Sequence, residues 1–209
     1  MKSFEQWTFE EVEMEFNVVQ VTNQATLLEW LAVETEIISN DELQSLLVHQ
    51  NRLKRNANNW AEEDLKMFFI SPLLLLTDYD QEQYKPFTER KLQAKIGKIE
   101  VGGVVDFLIA KGKVRPKQPY FCLHEYKWAR RSSNDPVGQL LIAMVCVQAK
   151  NNNPQQPVYG VLVEGQFWYF MTLLGQEYGL SIPYTATRED IFTIFKALKR
   201  VKVLIEPYL

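Results

Sequence analysis

Two short apolar runs, separated by a basic segment, stand in the middle of this 209-residue chain. The runs Val104–Ala110 and Tyr120–Leu123 are rich in β-branched and aromatic residues, and Lys111–Pro119 between them contains Gly, Pro and four basic residues. Apolar runs bounded by turn residues in this way predict the two strands of a β-hairpin. We therefore expect a β-sheet built around this hairpin.

The predicted hairpin also carries charged side chains. Asp106 interrupts the first strand, and the second strand ends in Glu125, Tyr126 and Lys127. Side chains alternate between the faces of a strand, so Glu125 and Lys127 point the same way. Charged groups are rare in buried strands unless they are paired or bind a metal. The sequence therefore predicts that two carboxylates and one ammonium group lie close together.

These three groups suit one kind of chemistry. Carboxylates are hard oxygen donors of the type that Mg²⁺ prefers. A bound metal polarises a phosphate and lowers the pKa of its water, and a neighbouring lysine can orient or deprotonate that water. The same lysine offsets the negative charge that develops on the phosphate. Asp106 and Glu125 are thus candidate metal ligands, and Lys127 is a candidate catalytic residue.

The arrangement of Asp106 followed by Glu125-Tyr126-Lys127 at the end of the next strand resembles the PD-(D/E)XK nuclease superfamily. It is most similar to the nuclease domain at the start of restriction-enzyme R subunits. The two acids are 19 positions apart, and Val105 replaces the proline of the motif's name. The resemblance covers roughly residues 56–173. It implies an α/β, restriction-endonuclease-like core, in which helices flank a central mixed β-sheet.

The resemblance implies two further site residues. Relatives often place a glutamate ten positions before the proline of an Ile-x-Pro-Leu-Leu run, and Glu62 stands ten positions before Pro72. We therefore choose Glu62 over Glu63 as a third metal ligand, although acids at a helix start also complement the helix dipole. Gln139 follows the motif strand on a predicted helix, where relatives carry a glutamine that contacts the substrate phosphate or the water. The alternative for Gln139 is an exposed helix residue.

Four basic residues flank the predicted site and are candidates for contacts with nucleic-acid phosphates. They are Lys111 and Lys113 in the hairpin turn, and Arg130 and Arg131 after the motif. The net charge of −3 argues against a protein that coats DNA regardless of sequence. It does not argue against a nuclease, whose metal neutralises charge locally.

The remaining sequence predicts elements on both sides of this core. Over residues 12–18, Val12, Met14, Phe16 and Val18 alternate with Glu13, Glu15 and Asn17, which is a strand pattern. We expect residues 1–55 to form an N-terminal strand and helical appendage, and residues 56–209 to form the nuclease-like domain. Further helices and strands are predicted at Trp60–Leu76 (ended or kinked by Pro72), Val137–Lys150, Val158–Val163, Phe167–Leu173 and Ile191–Val201.

Composition limits the location of the protein. No apolar run reaches the length of a membrane span, and the first residues are too acidic for a signal peptide. Cys122 and Cys146 lie in apolar runs typical of reduced core cysteines. We expect a cytoplasmic protein that does not enter a membrane.

The leading hypothesis is a Mg²⁺-dependent endo- or exodeoxyribonuclease acting on DNA, with Mn²⁺ as an alternative ion. The chain has no phosphate-binding GK[ST] motif, so any translocation would need a partner subunit, such as a helicase or another restriction-system component. The first alternative is a catalytically silent nuclease-fold module that binds nucleic acid or a protein partner. The second is an α/β protein in which Asp106, Glu125 and Lys127 form a structural ion-pair cluster.

Overall fold

The computed structural model describes residues 1–128 and 135–209. Over these residues the chain is an α/β protein with a nine-stranded mixed sheet flanked by helices on both faces, which confirms the predicted fold class. The described helices include none that is long and apolar enough to cross a lipid bilayer.

Runs of helices and runs of strands follow one another along the chain. The strands are β1 (Lys2–Ser3), β2 (Val19–Gln20), β3 (Lys85–Ile96), β4 (Ile99–Lys111), β5 (Lys117–Lys127), β6 (Val158–Glu164), β7 (Phe167–Leu174), β8 (Glu177–Leu180) and β9 (Tyr184–Thr185). The helices are α1 (Phe9–Phe16), α2 (Ala25–Leu31), α3 (Asn40–Asn56), α4 (Glu62–Leu65), α5 (Ser71–Thr77), α6 (Pro136–Asn151) and α7 (Asp190–Ile205).

The predicted hairpin is present as β4 and β5. The sheet follows the order β1-β4-β5-β6-β7-β8-β2, with β3 added on β4 and β9 on β7. The pairs β1/β4, β5/β6 and β2/β8 are parallel, and the other pairs are antiparallel. Strand β5 is buried along most of its length because helices cover both faces of the sheet there.

Strands β4 and β5 separate before their ends. Their ladder includes the pairs Ile109–Cys122 and Phe107–His124, and beyond His124 β5 pairs with β6. Strand β3 covers one side of β4 from Ile99 to Ala110, so β1, which pairs with Val101 and Gly102, must take the other side. The chain therefore forms a fork between β4 and β5.

Two apolar cores lie on opposite faces of the sheet. One contains residues of α2, α3, α5 and α7, including the fully buried Trp30 and Phe195. The other contains α1 and α6, and ten consecutive residues of α6 from Gly138 to Val147 are buried. A helix that is apolar all round is one that is covered on all sides. Here α6 lies between the sheet and α1.

The predicted strand at residues 12–18 is wrong, because most of this stretch belongs to α1. The backbone N–H of Glu11 donates to Thr8 Oγ1 at 3.3 Å, and the N–H of Thr8 donates to the Glu11 carboxylate at 3.0 Å. This capping box starts a helix. Val12 is buried and Met14 is 73% exposed, so the apparent alternation does not mark two faces of a strand.

Residues 1–55 pack against the rest of the chain. Strand β1 pairs with β4, β2 pairs with β8, and α1 contacts α6. The predicted domain boundary falls at the last residue of α3. Pro72 does not end its helix, because a π-helical turn at Lys66–Ile70 joins α4 to α5. Such turns occur frequently at functional sites.

One ion pair ties α3 to α7. The carboxylate of Glu42 lies 2.8 Å from Lys199 Nζ and accepts the backbone N–H of Ser39 at 2.7 Å. Burial raises the pKa of Glu42, but the hydrogen bonds from Lys199 and Ser39 outweigh it, so the pKa lies below 4.5. A lowered carboxyl pKa stabilises the fold above the unfolded pKa, and this stabilisation is lost as the pH falls.

We therefore expect Glu42→Gln to lower the free energy of unfolding by about 1 kcal/mol at pH 7. The difference from the wild type should shrink as the pH falls below 4.5, the ordinary value. Urea unfolding at a series of pH values measures this difference in the free energy of unfolding. Glu34→Gln, at an exposed position, is the matched control. A difference that stays constant from pH 7 to pH 3 would contradict the assignment.

Candidate active site

Asp106 lies at the fork between β4 and β5. Its Oδ2 accepts the backbone N–H of Tyr126 at 2.7 Å, so the carboxylate bridges the two strands where their ladder stops. Its Oδ1 lies 2.8 Å from Lys66 Nζ. The Asp106 side chain is only 12% exposed, and both of its oxygens have partners, as a buried charge requires.

Glu125 lies on β5 beside Gln139 of α6. Gln139 Nε2 donates to Glu125 Oε1 at 2.7 Å, and Lys127 Nζ lies 2.7 Å from the same oxygen. The prediction that Glu125 and Lys127 share a face therefore agrees with their direct contact. Gln139 is 3% exposed, and its Oε1 is buried without a hydrogen-bond partner within the described residues.

The electrostatic environment of Glu125 favours its protonated form. The pKa of Glu125 is raised to about 8. Burial is the largest cause, the negative charges of Asp106 and Glu62 add to the increase, and Lys127 opposes it. Burial lowers the pKa of Lys127, but the nearby Glu125 raises it by more, so the net pKa is raised. Lys127 therefore remains protonated at neutral pH. The shifts show that these charged groups are close enough to interact.

Lys66 is the centre of a second cluster. Its Nζ lies 2.8 Å from Asp106, 2.9 Å from Glu62, 3.4 Å from Glu63 and 3.7 Å from Glu89. Burial lowers the pKa of Lys66, but its bonds to Asp106 and Glu62 outweigh burial and raise the pKa. Five carboxyl groups therefore surround two ammonium groups, counting Glu125 and Lys127.

Helix and strand positions explain how these acids reach Lys66. Glu62 is the first residue of α4 and lies one helical turn before Lys66. Glu89 lies between the pairs Thr88–Phe107 and Arg90–Val105 of the β3–β4 ladder and has a φ of 51°, in the left-handed region. That conformation is costly for a residue other than glycine and occurs often near functional sites. Glu63 is 83% exposed, which supports the choice of Glu62.

The N-terminus of α6 fixes the position of Gln139. Asp135 caps α6 by accepting the N–H of Gly138 at 3.0 Å, and its second oxygen accepts the N–H of Phe9 at 2.7 Å. A Cβ on Gly138 would lie 2.5 Å from backbone atoms of Thr8 and Phe9. The helix therefore starts in close contact with α1, next to the glutamine that binds Glu125.

The three predicted metal ligands are divided between two cations. Asp106 and Glu62 contact Lys66, and Glu125 contacts Lys127. As a result, no three His, Cys, Asp or Glu side chains form a metal-binding group within residues 1–128 and 135–209. The donors still fit Mg²⁺ chemically, since they are carboxylate oxygens and the buried Gln139 Oε1, which has no hydrogen-bond partner among the described residues.

The predicted phosphate contacts do not gather at the fork. Lys111 ends β4, five residues or about 17 Å along the strand from Asp106, and Lys113 follows in the exposed turn. Arg130 and Arg131 lie outside the described residues. The structure therefore brings the predicted catalytic and metal residues together around Asp106 and Glu125. It leaves Lys111 and Lys113 at the far end of the hairpin.

Two members of the site were missed from the sequence. Lys66 follows Glu62 by four residues, a spacing typical of helical ion pairs, and this signal could have revealed it. Glu89 had no comparable signal, because its position depends on the β3–β4 register.

Comparison with protein-family models found no match. A search of curated proteins found no significant similarity either. The function is therefore argued from the residues and their geometry.

Proposed function

We propose that this chain is a metal-dependent nuclease that hydrolyses phosphodiester bonds in DNA. The observation that carries the proposal is the meeting of Asp106, Glu125 and Lys127 at the β4–β5 fork, with Glu62 and Gln139 on helices beside them. These are the residue types that the PD-(D/E)XK resemblance requires, in the same order along the chain.

Asp106, Glu125 and Glu62 would hold the metal ion. Bound Mg²⁺ or Mn²⁺ supplies a Lewis acid for the phosphate and a water of lowered pKa. The excess of acidic over basic groups gives the site a net negative charge that a divalent cation compensates.

Lys127 and Gln139 would position the reacting groups. Lys127 would act as a hydrogen-bond donor that orients water and stabilises negative charge on the phosphate. Gln139 holds Glu125 through Nε2. Its Oε1, which has no partner in the part of the chain that the structure describes, is an acceptor for a water molecule.

The second candidate is a catalytically silent module of the same fold that binds nucleic acid or a protein partner. One observation favours it: the ammonium groups of Lys66 and Lys127 already pair with the carboxylates that a metal would need. A helicase or restriction-system partner subunit is compatible with either candidate.

Removal of the acids tests the proposal. We expect Asp106→Asn and Glu125→Gln each to reduce cleavage of plasmid DNA by more than about 100-fold, since loss of a group that only supports a metal ligand costs 10–100-fold. Calorimetry with Mg²⁺ and Mn²⁺ should show loss of metal binding in the same variants.

Asp64→Asn is the matched control, because Asp64 accepts the Ala61 N–H in the same helix and does not contact Lys66. It should keep both cleavage and metal binding. A wild type that binds no metal at millimolar concentrations would support the silent module. If Asp106→Asn loses stability without loss of any activity, the carboxylate belongs to a structural ion pair.

Lys66 gives an independent prediction about metal affinity. Its ammonium group and a divalent cation compete for Asp106 and Glu62. A unit charge about 4 Å away is worth roughly 4 kcal/mol at a partly buried site. Since about 1.4 kcal/mol corresponds to tenfold, we expect Lys66→Met to bind Mg²⁺ at least about tenfold more tightly by calorimetry.

Without metal, the same variant should melt at a lower temperature than the wild type. Added Mg²⁺ should raise its melting temperature by more than it raises that of the wild type. Lys85→Met is the control. Lys85 forms an ion pair with Asp80, so its removal should leave the Mg²⁺ affinity unchanged. Weaker Mg²⁺ binding by Lys66→Met would show that Lys66 organises the acids for the metal.

A further inference from the structure

A positively charged groove lies on the β3 side of the sheet. It has a volume of about 550 Å³ and runs between β3, the turn of the β4–β5 hairpin and the end of α6. Its basic residues are Arg90, Lys91, Arg115 and Lys150, and no carboxylate of residues 1–128 or 135–209 lines it. The chain as a whole carries a net charge of −3, so this concentration of positive charge is local.

The four basic groups lack acidic partners. None of them forms an ion pair with a carboxylate of residues 1–128 or 135–209. Arg90 donates to the carbonyl of Thr88 at 2.6 Å, and Lys150 donates to the carbonyl of Gln93 at 3.3 Å, so neutral backbone groups hold both side chains. Their positive charge remains available to an anion.

The walls of the groove are partly apolar. Tyr120 is 93% buried, and Lys150 Nζ lies 5.7 Å from its ring centroid. Val114 and Pro116 belong to the opposite wall formed by the hairpin turn. A groove with apolar sides and cationic groups suits a chain that carries phosphates along an uncharged sugar framework.

The groove begins beside the candidate active site. Arg90 lies opposite Val105 in the β3–β4 ladder, so it is next to the position of Asp106 and one strand away. From Arg90 the groove follows β3 to Gln93, a distance of about 10 Å. A strand bound along β3 therefore leads from Lys150 and Arg115 towards the acids.

We propose that this groove binds the sugar-phosphate backbone of a nucleic-acid strand and directs it towards Asp106. The assignment of the polyanion as nucleic acid rests on the proposed nuclease function. An acidic protein segment is the competing occupant. The four cations of the groove, together with the position of Arg90 one strand from Val105 and next to Asp106, favour nucleic acid.

The test is fluorescence anisotropy with a labelled 20-nucleotide DNA strand, its duplex, and the RNA strand of the same sequence, in EDTA and at several salt concentrations. Arg115→Glu/Lys150→Glu should weaken binding at least about tenfold at low salt. Loss of two phosphate contacts should also reduce the slope of log K against log salt by about 1.8 for duplex DNA.

The matched control is Lys196→Glu/Lys202→Glu, which makes the same change of charge on α7, outside this groove. It should bind as the wild type does. Arg115→Glu alone is the safeguard against misfolding, because Arg115 is exposed in the turn, and it should weaken binding in the same direction.

The outcomes separate the groove from the nuclease. Wild-type affinity in the Arg115→Glu/Lys150→Glu variant overturns the groove and leaves the nuclease proposal intact. Absence of nucleic-acid binding by the wild type also overturns it and favours an acidic protein partner. A third result would support the groove and overturn the nuclease. In that result the wild type cleaves no nucleic acid with Mg²⁺ or Mn²⁺, and binding depends on the groove but is unchanged in Asp106→Asn. The DNA and RNA arms show which nucleic acid supplies the backbone.

Discussion

The hydrogen bond from the Tyr126 backbone to Asp106 holds β4 and β5 together at the point where their own ladder stops. Beyond it, β4 is free to pair with β1, and β5 continues along β6. The opening between the strands brings a carboxylate from each close to helices on both faces. Without this link, Asp106 would lose its backbone donor, and the β4–β5 ladder would join the two strands only as far as the Phe107–His124 pair.

Local sequence signals predicted the elements that surround the fork. Apolar runs bounded by turn residues indicated the β4–β5 hairpin, and the helix predicted at Val137–Lys150 is present as α6. The same kind of signal failed at Val12, because period-two spacing over five residues also fits a short helix whose start is fixed by Thr8. Here the capping box was the stronger physical determinant.

The site was predictable where one strand or one motif determined it. Glu125 and Lys127 follow from strand alternation, but the contact of Lys66 with Asp106 joins residues 40 positions apart and depends on how α4 packs on the sheet. The four cations of the groove come from β3, the hairpin turn and α6, so only the fold brings them together. Their sequence neighbourhood gave no reason to separate them from other surface lysines.

The N-terminal strands have a consequence for how the chain folds. Val19 of β2 pairs with Glu177 of β8, 158 positions later, and Lys2 of β1 pairs with Val101. Contacts between residues so distant in sequence slow folding, because a long loop must close before they form. During synthesis β2 therefore waits, unpaired, until β8 has left the ribosome, whereas β1 needs only β4. The end of the sheet at β2 is thus begun early in translation and completed late.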